Sequence, residues 1–388
     1  MGVRFDPTDP EFLRDPYPTY AALREEPVSG HGFSLGDLYP ISRYADCVRV
    51  LRNPSVFSST AMILPGQEAE DTSLIGQDPP IHTGLRNIVN RGFTPRRIAD
   101  LEAGIGARVE ALVDALSGRD EIELIRDLAA PLPVMVIAEL LGLDPDQHAR
   151  FKRWADDMIV GSSGRGDAEA DVDRSVAELR SFLEGAIEER RRRPGDDLVS
   201  VLIHAEEDAG VLTAREVLNF VQLLLAAGSE TTTNLLGSAI FHGLRHPTQW
   251  AEVRRSPALV PALLEETLRF DSPVQLVMRL VTEDAEIGAA EVPAGERVFV
   301  LLGSANRDPA QFPDPDRFDI HRSTTGHLGF GLGTHFCLGA SLARLQARLA
   351  VEALLAGLPG LALVGESVEH HGSFLVRGPR SLPLRVGG

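Results

Sequence analysis

Apolar residues recur every three to four positions along most of the chain. That period predicts helices over Phe12–Arg24, Thr83–Phe93, Arg97–Leu116, Pro131–Leu141, Pro145–Val160, Ala168–Arg193, Thr213–Arg245 and Pro257–Phe270. Strand signals are few and short. Glu286-Ile-Gly is expected to face Val298–Leu302 across the turn Pro293-Ala-Gly295, and a further strand ends in Leu382–Val386. Gly161–Gly166 reads as a flexible connection, and no internal repeat is present. Asp271–Gly333, rich in Pro, Asp and Arg, has little helical period and reads as a functional meander within one domain. The pattern as a whole predicts a mainly α domain over residues 1–388 with a small strand-rich corner.

One helix breaks its own rules. The span from the capping box Thr213-Ala-Arg-Glu216 to His246-Pro247 is long enough, at about 50 Å, to cross the core. Val217–Ala227 is apolar almost all round, as a buried helix should be. It then meets Gly228-Ser-Glu-Thr-Thr-Thr-Asn234, where the glycine alone costs about 1 kcal/mol and the polar side chains resist burial. Local rules broken at one point mark a functional site. The threonine hydroxyls are expected to compete for backbone carbonyls and open the helix into a local groove. A solvent-facing polar patch and a satisfied internal network are the alternatives.

The chain has 388 residues, 43% hydrophobic and 24% charged, a composition that excludes disordered and collagen-like classes. The formal net charge of −18 argues against a nucleic-acid partner. Two cysteines in unlike settings make no disulfide framework, so a reducing compartment is expected. With no apolar stretch near the N-terminus and no run of about 18 apolar residues, no membrane span is expected and the localisation reads as cytoplasmic. Lys152 is the only lysine. Arginines cluster instead, at Arg86, Arg91, Arg96 and Arg97 and at Arg344 and Arg348. Each cluster is either a solvated face or a docking surface for an acidic partner.

Cys337 lies in Phe330-Gly-Leu-Gly-Thr-His-Phe-Cys-Leu-Gly339, a glycine-rich loop leading into an amphipathic helix. Backbone N–H groups at a helix start favour a thiolate, and Gly331, Gly333 and Gly339 let the backbone turn and approach a flat ligand. Cys47, inside Ala45–Val50, reads as a small buried hydrophobe. Glu266 and Arg269 share one helix face, with Arg317 downstream as a partner for a buried cluster. His82 and Arg86 are one turn apart, and Arg279 stands among apolar neighbours and needs an anionic partner, which carboxylates on a cofactor would supply.

The cysteine loop, Ala227–Thr232, Glu266 with Arg269, and His82 with Arg86 together resemble the signature set of cytochromes P-450, specifically soluble bacterial ones, across essentially the whole chain. The resemblance implies the cytochrome P-450 fold: a triangular helical domain with a β-rich corner and a long central helix crossing over haem. It implies haem b with the Cys337 thiolate as axial ligand. His82, Arg86, Arg279 and His335 would hold the propionates, with His335 as axial ligand the competing assignment. Phe330, Gly331, Gly333 and Gly339 would shape the loop beside the ring. Glu230 and Thr231 match the family's acid–alcohol pair, which delivers protons. Glu266, Arg269 and Arg317 match a structural cluster.

By the same resemblance, Met62, Ile63, Leu64, Ala226, Ala227, Val274, Leu276, Val277, Phe374 and Leu375, with the stretch Met158–Val160, would line an apolar substrate pocket. The implied activity is monooxygenation, with one atom of O2 inserted into a hydrophobic small molecule. The chain holds no flavin signature and no iron–sulfur cysteines, so electrons would come from an acidic ferredoxin and its NAD(P)H-dependent reductase, docked on the arginines near Arg86 and Arg344. A monomer is expected. Oxidative coupling without oxygen insertion, and a non-catalytic haem sensor or carrier, stay open as rivals.

Overall fold

The computed structural model describes residues 3, 5–26, 28–33, 36–62, 74–144, 147, 149–154, 157, 169–209 and 212–387. Helices stand at most of the predicted places: Ile81–Asn90, Pro95–Asp114, Pro131–Leu140, Glu169–Arg192, Ala214–Arg245 and Val260–Phe270. Thr94 caps the second by accepting from the Arg97 N–H. The span predicted as one helix over Phe12–Arg24 is two, Pro10–Arg14 and Tyr17–Glu25. Asp15 precedes a proline and is extended (φ −148°, ψ 98°), because the proline ring crowds the α conformation there. Tyr44–Arg52, Leu198–Ala209 and Pro247–Arg255 are helices that the period did not single out. Residues 149–154 and 157 are helical. Most of the remainder of Pro145–Val160, and Gly161–Gly166, lies outside the described residues.

The strand pairing differs from the expected one. Ala285–Ile287 pairs with Ala290–Val292, because the two residues between them close a hairpin locally. Arg297–Val300 instead lies between Gly36–Ile41, parallel to it, and Val277–Val281, antiparallel. The Pro293–Gly295 turn feeds this sheet, with the Gly295 N–H donating to the Val281 carbonyl at 2.8 Å. His31–Phe33 and Phe57–Ser58 complete five strands. The predicted C-terminal strand forms, as Pro383–Gly387, between Glu121–Glu123 and Gly360–Leu363.

The Ala214–Arg245 helix is the axis of the helical core. It opens with both halves of the expected capping box and packs against Pro131–Leu140, Val260–Phe270 and Ala340–Gly357. Val217, Phe220, Leu235, Leu236 and Ile240 are its buried face. The Gly228–Asn234 stretch does not open it. Thr231, Thr232 and Thr233 donate their hydroxyls to the carbonyls of Ala227, Gly228 and Ser229, one turn back, at 2.8, 3.1 and 3.0 Å, and the helix continues unbroken. Back-bonding adds a second donor to each carbonyl and leaves the ladder in place.

Candidate functional site

The cysteine loop is held by its own backbone. The Cys337 N–H donates to the Phe330 carbonyl at 2.9 Å, and the Gly331 N–H to Leu328 at 2.8 Å. Gly331 and Gly333 have φ of 70° and 75°, the left-handed region that L side chains avoid. A Cβ on Gly333 would stand 2.5 Å from the Leu51 carbonyl oxygen, so packing forbids a side chain there as well. The Ala340–Gly357 helix follows with Gly339 as its cap. Burial pushes the Cys337 thiol up, against the Gly339 N–H and the Arg86 and Arg344 guanidiniums, which favour the anion. The expected helix-start effect is present, but burial outweighs it. Cys47 is fully buried and donates to the Ile41 carbonyl at 3.1 Å, a core residue as expected.

Four basic side chains gather beside this loop. His82 is 2% exposed, and neither ring nitrogen has a hydrogen-bond partner. Its ring lies 4.1 Å, centroid to centroid, from His335. Burial pushes His335 down to about 3, and His82 is lowered too, by burial and then by Arg86. His335 Nε2 lies 2.9 Å from Ser59 Oγ, which commits that nitrogen to Ser59 and disfavours His335 as a metal ligand. Arg279 is 7% exposed and donates to the Met278 carbonyl next door at 2.7 Å. Burial pulls it down to about 10, with Asp78 opposing. Arg86 donates to the Phe336 carbonyl at 2.7 Å. These are donors crowded together with too few acceptors.

On the long helix, Ala227 is exposed and Thr231, one turn on, is partly so, while Glu230 is 4% exposed. Glu230 has two basic neighbours that sequence reading missed. Lys152 Nζ is 3.7 Å from Oε2, and His371 Nε2 is 3.1 Å from Oε1. No periodicity could reveal either, because both come from distant segments.

Glu266 and Arg269 form a fully buried bidentate pair, with N–O distances of 2.7 and 2.8 Å. Arg269 also donates to the carbonyls of Asn306 and Pro315, and the Asp319 N–H donates to Glu266. Arg317 is not the third member. Its side chain is 70% exposed beside Asp319, and it contributes only its carbonyl, to Arg269 and Arg322. Arg322 Nε occupies the expected place, 3.2 Å from Glu266 Oε1. The meander from Asp314 wraps round the pair, so the arginine five residues later arrives at the carboxylate.

The proposed apolar lining divides. The Gln275 N–H donates to the Leu375 carbonyl at 2.8 Å and Val274 bridges Val376, which brings those two segments together. Val274 and Val277 are partly exposed, but Leu276 is 1% exposed in the core with Phe299 and Leu301. Phe374 stacks on Phe299 at 6.1 Å and joins that core too. Ala226 is partly exposed on the long helix. Met62 ends the short turn Ser59–Met62; Ile63, Leu64 and Met158–Val160 lie outside the described residues. A cleft of about 1190 Å³ lies apart from the cysteine loop, between the N-terminal helices, the end of the long helix and the 366–374 segment.

The arginines on the loop side are also unequal. Arg344 grips Glu265 with two bonds of 2.6 and 2.9 Å, and Arg348 pairs with Glu102 and Glu352. Burial pushes the Glu265 carboxyl up, but Arg344 and His327 outweigh it and hold it at about 2. Arg91 and Arg96 are exposed, as is Phe336 next to Cys337. No described helix is long and apolar enough to cross a membrane.

Comparison with known proteins agrees with this geometry. The cytochrome P450 family model matches residues 257–357, which contain the Glu266–Arg269 pair and the cysteine loop. Cytochrome P450 107B1 of Saccharopolyspora erythraea is 40% identical over 98% of this chain and 97% of its own. Cytochrome P450 monooxygenase PikC of Streptomyces venezuelae is 39% identical over 97% of this chain and 92% of its own. The solved structure of cytochrome P450 CYP109Q5 from Chondromyces apiculatus superposes with a TM-score of 0.90 and 44% identity, covering 99% of this chain and 98% of that one. With a thiol loop, an unsatisfied donor set and a broken-rule helix in the family's order, this chain belongs to the cytochrome P450 family and is a monooxygenase of it.

Proposed function

We propose that this monooxygenase inserts one atom of O2 into a hydrophobic small molecule, by hydroxylation or epoxidation, on haem b ligated by Cys337. The observation that carries the reading is the donor set beside Cys337. His82, with both nitrogens unpartnered in a buried ring, calls for an acceptor that the protein does not itself supply, and Arg279, buried nearby with a bond to the Met278 carbonyl, adds a second cation. Two propionates would meet that need, with Arg86 and His335 beside them. Bound there, haem activates O2 with a thiolate's electron donation.

The chain's own residues do the rest. The loop N–H groups and glycines fix Cys337. Glu230, held by Lys152 and His371, takes protons from outside, and the Thr231 hydroxyl, now bonded to the Ala227 carbonyl, turns to pass them on. Ala226, Ala227, Val274 and Val277 give an apolar wall that orients a hydrophobic substrate. Built surroundings for a buried carboxylate support a catalytic role over that of a carrier. Thr231→Ala is expected to leave NAD(P)H consumption running while product per NAD(P)H falls by ~10-fold, with Thr231→Ser restoring most of it. Tight coupling in Thr231→Ala would overturn the proton role.

Electrons would come from an acidic ferredoxin docked around Phe336. Arg91 and Arg96, exposed on the loop side, remain available for it, whereas Arg86 is turned to the Phe336 carbonyl and Arg344 and Arg348 are paired internally. Charge reversal at Arg91 and Arg96 is expected to lower the reduction rate by ~10-fold or more at low salt, without changing substrate affinity. An unchanged rate would remove this surface from the account.

A further inference from the structure

Glu230 is buried, so protons that reach it must come through a neighbour. We propose that His371 is that neighbour: a proton-relay residue joining the 1190 Å³ cleft to Glu230, with Lys152 holding the carboxylate from the other side. The inference rests on the proton-delivery role given to Glu230 above.

Three observations converge. His371 Nε2 is shut off from solvent, forms no aligned hydrogen bond, and lies 3.1 Å from Glu230 Oε1. The His371 side chain is nevertheless 28% exposed, and the residue lines the wide cleft. One ring therefore faces a buried carboxylate with one nitrogen while the side chain is partly open to the cleft. The position is also fixed by backbone. The His371 N–H donates to the Gly378 carbonyl at 3.2 Å, His370 bridges Pro379, and a Cβ on Gly378 would stand 2.3 Å from Asn234, so this strap lies directly on the long helix one turn beyond Glu230.

The step conserves protons and moves no electrons. Nδ1 takes a proton from cleft water to give imidazolium, and Nε2 then yields its proton to Oε1 of Glu230. The ring is left as the Nδ1–H tautomer and resets by swinging into the cleft, where Nε2 takes a proton from water and Nδ1 gives one up. The titratable and charged groups around the pair are Lys152 from the 149–154 segment, His370 and Glu369 on the strap, Arg377 beyond it, and Asp271 and His242 deeper in the cleft. Burial, then Arg377, holds His370 down to about 4, so the neighbouring ring stays neutral near pH 7 and does not compete for the proton.

The test compares wild-type holoenzyme with His371→Phe and, should that variant fail to fold, His371→Gln. Product formation is expected to fall by ~10-fold with a raised solvent deuterium isotope effect, while the substrate-induced spin shift, which reports binding, stays put. The second readout uses the single lysine. Reductive ¹³C-methylation places one side-chain NMR probe at Lys152, 3.7 Å from Glu230. In the diamagnetic ferrous carbon monoxide form its resonance is expected to move in Glu230→Gln and to move in His371→Phe as well. Wild-type turnover and isotope effect in His371→Phe, with a probe that does not move, would overturn the relay. If Thr231→Ala uncouples in the same protein, the reaction reading survives that failure. A wild-type protein that makes no product fails both.

Discussion

Cys337→Ala is expected to give a folded protein with no thiolate-type carbon monoxide band and no detectable product. Nothing else can take the sulfur's place. Cys47 lies fully buried in the sheet core with its S–H donated to Ile41. His335 commits Nε2 to Ser59, and the buried His82 ring packs against it at a tilt. The loop that carries Cys337 is held by backbone bonds and by glycines in left-handed conformations, none of which uses the thiol. Removing one sulfur therefore costs the ligand and spares the fold. Cys47→Ala is the control: it opens a small core defect, at a cost of about 1 kcal/mol, and leaves the spectrum alone. A thiolate-type band that persists in Cys337→Ala would refute the assignment.

The second large effect is on folding. Arg269→Ala leaves Glu266 fully buried without its bidentate partner and removes donors from the carbonyls of Asn306 and Pro315. Breaking a buried pair from one side costs about 3–5 kcal/mol, against a total stability of about 5–15 kcal/mol. Expression without haem, or insoluble protein, is the expected outcome. The cluster also separates two arginines that lie five residues apart. Arg322→Ala should destabilise measurably, because Arg322 reaches Glu266 and ties the meander to it. Arg317→Ala should stay within about 0.5 kcal/mol, because that side chain is largely exposed. Chemical denaturation of the two variants side by side decides between the structural assignment and the one that sequence alone favours.

That contrast shows where sequence was legible. The long helix could be read because its apolar period, capping box and terminal His246-Pro247 agree, and the structure keeps all three. The cysteine loop could be read because its glycines are needed for local conformation, which sequence encodes directly. Sequence offers Arg317 and does not single out Arg322 because the meander has no period: with no helix or strand to set register, nothing tells which side chain returns to Glu266. The strand partners of Val298 were misjudged for a related reason. Nothing in a short apolar run names its partner, and the parallel neighbour Gly36–Ile41 lies far away in sequence. Leu276 reads as pocket lining by its nearness to Val274 and Val277, and only the packing with Phe299 and Leu301 shows that it is core. His371 and Lys152 were invisible as partners of Glu230, since both contacts exist only after the fold brings three segments together.

The central claim is that Cys337, as a thiolate, is the haem ligand of a working monooxygenase. It is tested most directly by the absorption spectrum of the purified protein after dithionite reduction and exposure to carbon monoxide. A red-shifted, thiolate-type Soret band that responds to apolar ligands by a spin-state shift is the result the account predicts. An imidazole-type band in freshly prepared protein, or protein that takes up no haem, would contradict it.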